Sequence, residues 1–308
     1  MPVLFYLDFF SQSIDFKNSF FSEKVEIVAK ASAIISILRQ NKPSLQRMGR
    51  DELRTIKDFM PNLQFQTQVS GDHQGVHYIR TKPLSEIVAT MSFAAAVYFM
   101  ITNHVPNAAQ EKVFNALLVA SLDHGLSPAS GFVPRVVAST GNDLLHSLAA
   151  GIMTLGPYHG GAISGAAQVI EQVKQQGLES LQASHFASKK KILGLGHPHY
   201  KLNDPRADQL FSIARDSGID HTHQDLMLDI QKYVYEQLNK HLVINIDGSI
   251  AAILLDLGFP TSAGNGLFAL ARSGGMIAHI LEEYQEKPIR RIDEADIEFQ
   301  FPEEDEHV

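Results

Sequence analysis

Apolar residues recur with helical spacing along most of the chain from Pro83 onward. Short stretches rich in glycine, proline or aspartate separate these segments, as expected between packed helices. Runs that alternate apolar and polar residues are few, and the best of them, LVINIDG, is too short to define a sheet. The pattern predicts a mainly α fold, with helices over residues 84–103, 107–122, 141–155, 162–176, 206–217, 222–240, 248–257, 263–284 and 293–298.

The region before Pro83 is less regular. Residues 1–60 contain EKVEIVAKASAIISILRQ and MGRDELRTIKDFM, which have helical spacing, and we interpret them as a helical N-terminal preamble of uncertain role. Residues 61–80 are polar, and QVSGDHQG indicates a turn. The last residues, FPEEDEHV, are acidic, and we expect them to be frayed.

The net charge and the lack of cysteine argue against several kinds of binding and catalysis. The 308 residues carry a formal net charge of −8, which argues against non-specific nucleic-acid binding because that needs a basic surface. A few local arginines can still bind a small anionic ligand. The chain has no cysteine, which excludes disulfides, thiolate catalysis and cysteine-ligated zinc.

The N-terminal residues MPVLFYLDFFSQSIDF lack a basic region, and Asp8 and Asp15 interrupt the apolar residues. We therefore expect no signal peptide. The longest nearly uncharged run extends from Ile87 to Val105, and its apolar part of about 15 residues is shorter than the roughly 20 that a spanning helix needs. We expect a cytoplasmic protein without membrane contact, with this run buried in the core or in a subunit interface.

The residues that could carry chemistry lie mostly in the short turns between apolar helices. These turns are SLDHGLSPAS with His124, GPYHGGA with His159, GLGHPHYKLNDPRA with His197, His199, Lys201, Asp204 and Arg206, NIDG with Asp247, and EKPIRRID with Arg290 and Arg291. Glycines in such turns allow positive φ and let backbone N–H groups approach a ligand.

Structural roles remain open for several of these side chains. A histidine near a helix end, such as His124, can simply bond to a carbonyl, and His279 on an apolar helix is interpreted as structural. Asp204 and Pro205 fit the N-cap and first position of a helix. Asp247, which precedes a glycine, could serve as a turn or cap residue.

Arg272 is harder to explain structurally. It lies between GLFALA and SGGMIA, and a buried guanidinium is costly unless it finds an anion. The pairs HPH and HTH have no zinc-site spacing, and HExxH, GxGxxG, GxxxxGK[ST] and GxSxG are absent from the sequence. We therefore expect no catalytic metal and none of the usual nucleotide-binding loops.

The order of these motifs resembles the citrate synthase superfamily. DHG, GPYHGGA, GLGHPHYKLNDPRA, NID, FALAR and PIR follow one another between about residues 70 and 295. The resemblance implies a mainly helical homodimer whose large and small domains close over the substrates. By this resemblance residues 61–160 begin the large domain, 161–240 approximate the small domain, and 241–308 return to the large domain and form the tail.

The resemblance also implies a role for each site residue. His159 stabilises the enol of acetyl-CoA, Asp247 is the base that takes its α-proton, and His197 polarises the ketone of oxaloacetate. His124, Arg206, Arg272 and Arg290 bind the carboxylates, with Arg290 coming from the partner subunit, and Lys201 contacts a CoA phosphate.

Such a set suits the chemistry. The α-C–H of a thioester is a very weak acid, so a base and a donor to the enolate oxygen must flank the same two carbons. The planar fork of arginine binds a carboxylate with a defined direction. The reaction needs no metal or redox cofactor, because CoA enters as part of the substrate.

The sequence leaves the reaction open. Citrate synthesis from acetyl-CoA and oxaloacetate is the first reading, and the alternatives are citryl-CoA cleavage, 2-methylcitrate synthesis from propionyl-CoA, or a non-catalytic metabolite sensor. His199 replaces the usual branched aliphatic residue, and NIDGSIAAILLDLGFP lacks the aromatic and Ser-Gly pattern of many citrate synthases. NIDG and GLGHPHYKLNDPRA resemble citryl-CoA lyases and the lyase portion of ATP-citrate lyases, although His159 is retained where the latter generally departs from GPxHGGA.

Overall fold

The computed structural model describes residues 66–299. In this range a three-stranded sheet precedes ten α-helices. The strands are β1 (Ser70–His73), β2 (Val76–Ile79) and β3 (Lys82–Pro83). The helices are α1 (Leu84–Thr90), α2 (Phe93–Thr102), α3 (Ala108–Ser121), α4 (Ala129–Ser139), α5 (Leu144–Met153), α6 (Ala162–Gln176), α7 (Pro205–Asp216), α8 (Thr222–Leu238), α9 (Ile246–Asp256) and α10 (Gly264–Glu283). The predicted mainly α fold is confirmed.

Helix α9 forms the centre of the core. Its residues from Gly248 to Leu254 are all buried, and they pack among α6, α7 and α8. A helix that is apolar on every side is stable only inside such a bundle. Helix α10 packs mainly against α4, α5 and α3, which form a second group of helices.

The small antiparallel sheet was not predicted. Its strands pair in the order β1-β2-β3, and Gln74 and Gly75, both with positive φ, connect the first two. The predicted turn in QVSGDHQG is therefore confirmed. Most strand residues are exposed on both faces, which removes the alternation that identifies a half-buried strand.

Several predicted boundaries shift. The helix expected over 84–103 divides in two, because Ser92 caps α2 by accepting a hydrogen bond from the backbone of Ala95. The segment predicted as a helix over 293–298 forms only a 3₁₀ turn, Glu294–Asp296. In LVINIDG, only an isolated bridge between Leu195 and Ile244 resembles a strand.

Helix α4 was missed because Pro134 and Gly131 weaken its helical pattern. The preamble over residues 1–60 and the acidic tail lie outside the described residues, and the domain boundaries stay predictions. None of the helices in residues 66–299 has the length and hydropathy required to cross a membrane.

Candidate active site

The two glycines that follow His159 lie where a side chain would clash with neighbouring atoms. The backbone N–H of Gly156 donates to the carbonyl of His159 at 2.8 Å, and the reverse bond measures 2.9 Å. Gly160 has a φ of +72°, and a Cβ there would lie 2.5 Å from a ring carbon of Phe268. A Cβ on Gly161 would lie 2.3 Å from the carbonyl oxygen of Gly156. The tight turn therefore fixes His159 just before α6 begins.

The ring of His159 is held by a serine that sequence reasoning missed. His159 Nε2 lies 2.7 Å from the hydroxyl oxygen of Ser130, which is completely buried on α4. Arg272 donates to the same oxygen at 3.2 Å. Nothing in the local sequence SPASG distinguishes this serine from a helix-start residue, so only the fold identifies it.

Burial lowers the pKa of His159, and the positive charge of Arg272 and the proximity of His124 lower it further. These effects favour the neutral form of the imidazole. A neutral ring can donate one hydrogen bond to a substrate oxygen without bringing a full charge into the site.

Arg272 is buried, with 6% of its surface exposed. Its Nε donates to the carbonyl of Ser121 at 2.9 Å, and its guanidinium lies over the ring of Phe268 at 4.6 Å. Burial lowers the pKa of Arg272, while the more distant Asp123 and Asp247 counter that effect. Within the described residues no carboxylate forms an ion pair with Arg272, which leaves a buried cation suited to an anionic ligand.

The second histidine, His197, lies in the loop before α7. Its Nδ1 accepts hydrogen bonds from the backbone N–H groups of His199 and Tyr200, each at 3.1 Å. These contacts assign the lone pair to Nδ1 and the proton of the neutral ring to Nε2. Burial lowers the pKa of His197, and the charge of Arg206 acts in the same direction.

Arg206 completes a pair of donors with His197. Its terminal nitrogen lies 3.3 Å from His197 Nε2. Two N–H donors that face each other need an acceptor oxygen between or beside them. Asp204 fixes Arg206 through bonds of 3.0 and 2.8 Å and raises the pKa of the arginine. The predicted N-cap role of Asp204 is also confirmed, because its side chain accepts from the backbone of Arg206.

Asp247 lies in the first turn of α9, where the N-cap is Asn245. Asn245 donates to the carbonyl of Gly196 at 2.8 Å, and Asp204 accepts a hydrogen bond from the backbone of Ile246 at 3.2 Å. The start of α9 is therefore fastened to the loop that carries His197.

Burial raises the pKa of Asp247, and the positive charges of Arg206 and Arg272 lower it in part. The two arginines come from α7 and α10, which places the charge of Asp247 within electrostatic reach of both. A buried carboxyl group whose pKa is raised and that lies near fixed cations is suited to general acid–base catalysis.

The remaining predicted residues are placed differently. His124 is exposed, and it lowers the pKa of both His159 and His197, so it lies near the two imidazoles. Lys201 is exposed, with its Nζ 3.4 Å from the carbonyl of His197. Arg290 makes an ion pair with Glu283 and does not contact the other predicted site residues of the same chain.

His279 Nε2 lies 3.0 Å from a carboxylate oxygen of Asp123, which supports its structural interpretation. In residues 66–299 no group of three His, Asp or Glu side chains is arranged to hold a metal ion. The expectation that no metal or redox cofactor takes part stays a prediction.

Comparison with known proteins gives the class. Residues 10–293 match the family described as "Citrate synthase, C-terminal domain". The chain belongs to the citrate synthase family of enzymes, as the order of its turns indicated.

Individual relatives add detail. The citrate synthase of Haloferax volcanii is 30% identical over 208 residues, which are 66% of this chain and 54% of that protein. The chain thus spans about half the length of this relative. Among solved structures, citryl-CoA lyase from Hydrogenobacter thermophilus superposes with a TM-score of 0.73 and 34% identity, covering 77% of this chain and 95% of that one.

A citrate synthase from Thermoplasma acidophilum, solved in a ternary complex with carboxymethyl coenzyme A and oxaloacetate, superposes with a TM-score of 0.55. It is 25% identical, and the match covers 71% of this chain and 59% of that one. The roles of the individual site residues stay predictions.

Proposed function

We propose that this protein cleaves citryl-CoA reversibly into acetyl-CoA and oxaloacetate. The proposal rests on one group of side chains. Asp247 lies within electrostatic reach of Arg206 and Arg272. Arg206 contacts His197, and Arg272 donates to Ser130, the serine that holds His159. A thioester enolate and a ketone with two neighbouring carboxylates need this combination of one acid–base group, neutral donors and fixed cations.

In the cleavage direction the bond between the acetyl methylene carbon and the carbinol carbon breaks. Its electron pair forms the enolate of acetyl-CoA, whose oxygen accepts a hydrogen bond from His159. The hydroxyl proton passes to bulk water as the carbinol oxygen becomes a ketone, and the N–H groups of His197 and Arg206 stabilise that oxygen. Protonated Asp247 supplies a proton to the methylene carbon, which suits its raised pKa.

Condensation uses the same groups in reverse. Ionised Asp247 removes a proton from the acetyl methyl group, and the enolate attacks the ketone that His197 polarises. Arg272 and Arg206 bind the carboxylates of oxaloacetate, with His124 at the edge of the site, and neither direction calls for a metal or redox cofactor.

The similarity of the fold favours the lyase. Citryl-CoA lyase superposes with a TM-score of 0.73 at 34% identity, whereas the Thermoplasma synthase superposes with 0.55 at 25% identity. Citrate synthase activity is the second candidate, favoured by the relative from Haloferax volcanii. The two reactions share carbon–carbon chemistry and differ in whether citryl-CoA is hydrolysed.

We also propose that the active unit is a homodimer in which Arg290 completes the partner's site and Lys201 contacts a CoA phosphate. The backbone N–H of Arg290 donates to Ser139 at 3.0 Å, and its Nε is paired with Glu283. The terminal nitrogens of its half-exposed guanidinium are thereby presented in a fixed direction. Helices α4 and α5 also expose apolar side chains that a second copy could cover, including Phe132, Leu145 and Met153.

A parallel assay of three substrates tests the reaction. The full-length chain is given citryl-CoA, acetyl-CoA with oxaloacetate, or propionyl-CoA with oxaloacetate, and oxaloacetate and free CoA are measured separately. Oxaloacetate release from citryl-CoA without free CoA supports the lyase. Free CoA from acetyl-CoA and oxaloacetate supports the synthase, and faster release from propionyl-CoA supports 2-methylcitrate synthesis. No product in any arm overturns the proposal.

A further inference from the structure

Helix α10 contacts the segment that carries His124 at two positions. Arg272 Nε donates to the carbonyl of Ser121 at 2.9 Å. Two helical turns later, His279 Nε2 lies 3.0 Å from a carboxylate oxygen of Asp123, which is 156 positions away along the chain. Residues seven positions apart lie on the same face of a helix, so one face of α10 makes both contacts.

A glycine lies between these two contacts on the same face of α10. A Cβ at Gly275 would lie 2.5 Å from the carbonyl oxygen of Leu122 and 2.8 Å from a carboxylate oxygen of Asp123. Both distances are well below van der Waals contact, so a side chain at this position would push the segment away from the helix. The segment therefore packs directly against the backbone of α10.

Asp123 connects His279 to the turn that follows. One of its carboxylate oxygens faces His279, and the other accepts the backbone N–H of Gly125 at 2.8 Å. Burial alone would raise the pKa of Asp123, but hydrogen bonds from the backbone of Gly125, from His279 and from the backbone of His124 lower it below its usual value. A neutral imidazole with its proton on Nε2 is sufficient as the donor, so the contact needs no charge on the ring.

His124 lies in the turn that these contacts hold. Its side chain is exposed, so the backbone of the turn determines where the imidazole points. Burial lowers the pKa of His159 and of His197, and His124 lowers both further, which places it near the two imidazoles of the candidate site. A change in the turn would therefore move a group that borders the site.

We propose that His279 is a positioning residue, which acts through Asp123 to hold the turn of His124 where a carboxylate of the substrate binds. The consequence for substrate binding rests on the proposed function. Loss of the N–H donor of His279 releases one carboxylate oxygen of Asp123, and the turn gains conformations that direct His124 away from the ligand. The contact exists before the substrate binds, so its loss should weaken binding and leave the chemical step nearly unchanged.

Hydrogen exchange of the full-length chain, followed by NMR, tests the contact without reference to activity. The backbone amides of His124 and Gly125 should exchange roughly 3- to 30-fold faster in His279→Leu, because a hydrogen bond to a charged acceptor is lost. His279→Gln retains an N–H donor and should exchange at close to the wild-type rate. Unchanged exchange in His279→Leu, or equal acceleration in both variants, overturns the proposal.

The control is His221→Leu, because His221 lies 2.7 Å from Asp225 in an exposed histidine–aspartate pair at the start of α8. Its removal should leave the exchange of His124 and Gly125 unchanged, and faster exchange in this variant too contradicts a specific role of His279. If His279→Leu does not fold, nitrogen-15 NMR of the wild-type ring replaces it. A protonated Nε2 is expected, and an unprotonated Nε2, which cannot donate to Asp123, overturns the proposal.

Binding measurements connect the contact to the site. Calorimetry should show the Kd for oxaloacetate raised roughly 3- to 30-fold in His279→Leu and restored in His279→Gln, while the Kd for CoA alone stays unchanged. In the cleavage of citryl-CoA, KM should rise and kcat should stay within about 2-fold of the wild-type value. Equal weakening of both ligands, or an unchanged affinity for oxaloacetate, overturns the proposal.

A double-mutant cycle shows whether His279 acts through Asp123. Asp123→Ala should raise the Kd for oxaloacetate at least as much as His279→Leu, and the double variant should bind no more weakly than Asp123→Ala alone. Additive losses contradict the proposal, because His279 would then act by another route. If the chain binds no oxaloacetate, the exchange rates still decide whether His279 holds the turn, so failure of the proposed function is distinguishable.

Discussion

The hydroxyl of Ser130 lies 2.7 Å from His159 Nε2, and it lies on a different helix from the turn that carries the histidine. The same oxygen accepts a hydrogen bond from Arg272. One buried hydroxyl group therefore fixes both a neutral imidazole and a buried cation, which is the arrangement that an enolate oxygen and a carboxylate require.

Replacement of Ser130 by alanine should slow the reaction. The change leaves His159 Nε2 and one N–H of Arg272 without their partner, and loss of a positioning hydrogen bond costs about 1–3 kcal/mol, or roughly 5- to 150-fold in rate. Steady-state cleavage of citryl-CoA measures the effect. Ser273→Ala is the matched control, because Ser273 bonds only to the carbonyl of Ala269 in its own helix. Equal rates in the two variants would contradict the role of Ser130.

Asp204→Asn should move the pH dependence of proton removal. The negative charge of Asp204 helps to raise the pKa of Asp247, so its loss should lower that pKa. Proton exchange of acetyl-CoA needs ionised Asp247 and declines as the pH falls through this pKa, so the decline should shift to lower pH. Asparagine retains the side-chain oxygen that caps α7. Asp208→Asn, on the exposed side of the same turn, should leave the pH dependence of proton exchange unchanged. An unchanged pH dependence in Asp204→Asn would contradict the effect of Asp204 on the pKa of Asp247.

Glu283→Gln should destabilise the fold. Glu283 is buried at the end of α10, where it pairs with the buried Arg135 and with Arg290. Burial alone would raise the pKa of Glu283, but the hydrogen bonds from the two arginines lower it below its usual value. Loss of the charge leaves the buried Arg135 with only the exposed Glu282 as its carboxylate partner, at a cost of about 3 kcal/mol. Urea unfolding measures the free energy of unfolding of Glu283→Gln and of the exposed control Glu286→Gln. Equal values for the two variants would contradict a stabilising role of the Glu283 charge.

Mixed dimers should reveal whether Arg290 serves the partner's site. Asp247→Asn and Arg290→Gln should each be nearly inactive alone. After equal mixing and subunit exchange, half the dimers are hybrids, and each hybrid has one site with both residues intact. About one quarter of the wild-type activity should therefore return. If Arg290 acts within its own chain, every site in the mixture lacks a residue and no activity returns.

The sequence predicted the parts of the site that local chemistry dictates. Close contacts require the glycines beside His159, and helix capping requires the Asp-Pro pair at the start of α7. Both requirements appear as short sequence motifs. The burial of Arg272 follows from the apolar residues around it. These features need only a few neighbouring residues, so periodicity and turn chemistry suffice to find them.

The rest depends on contacts between distant segments. Ser130 meets His159 only because α4 packs beside the turn, and the pair of Asp123 with His279 spans 156 positions along the chain. Helix α4 was missed because an interior proline is normally unfavourable, yet tertiary packing retains it. No local pattern in the sequence contains these relationships.

The most direct test of the central claim is deuterium uptake by the methyl group of acetyl-CoA in heavy water, followed by NMR with and without oxaloacetate. We predict oxaloacetate-dependent uptake by the wild-type chain, reduced roughly 100- to 10,000-fold in Asp247→Asn while oxaloacetate still binds. A wild-type protein that binds both compounds yet incorporates no deuterium, or an Asp247→Asn variant that exchanges at the wild-type rate, would contradict the account.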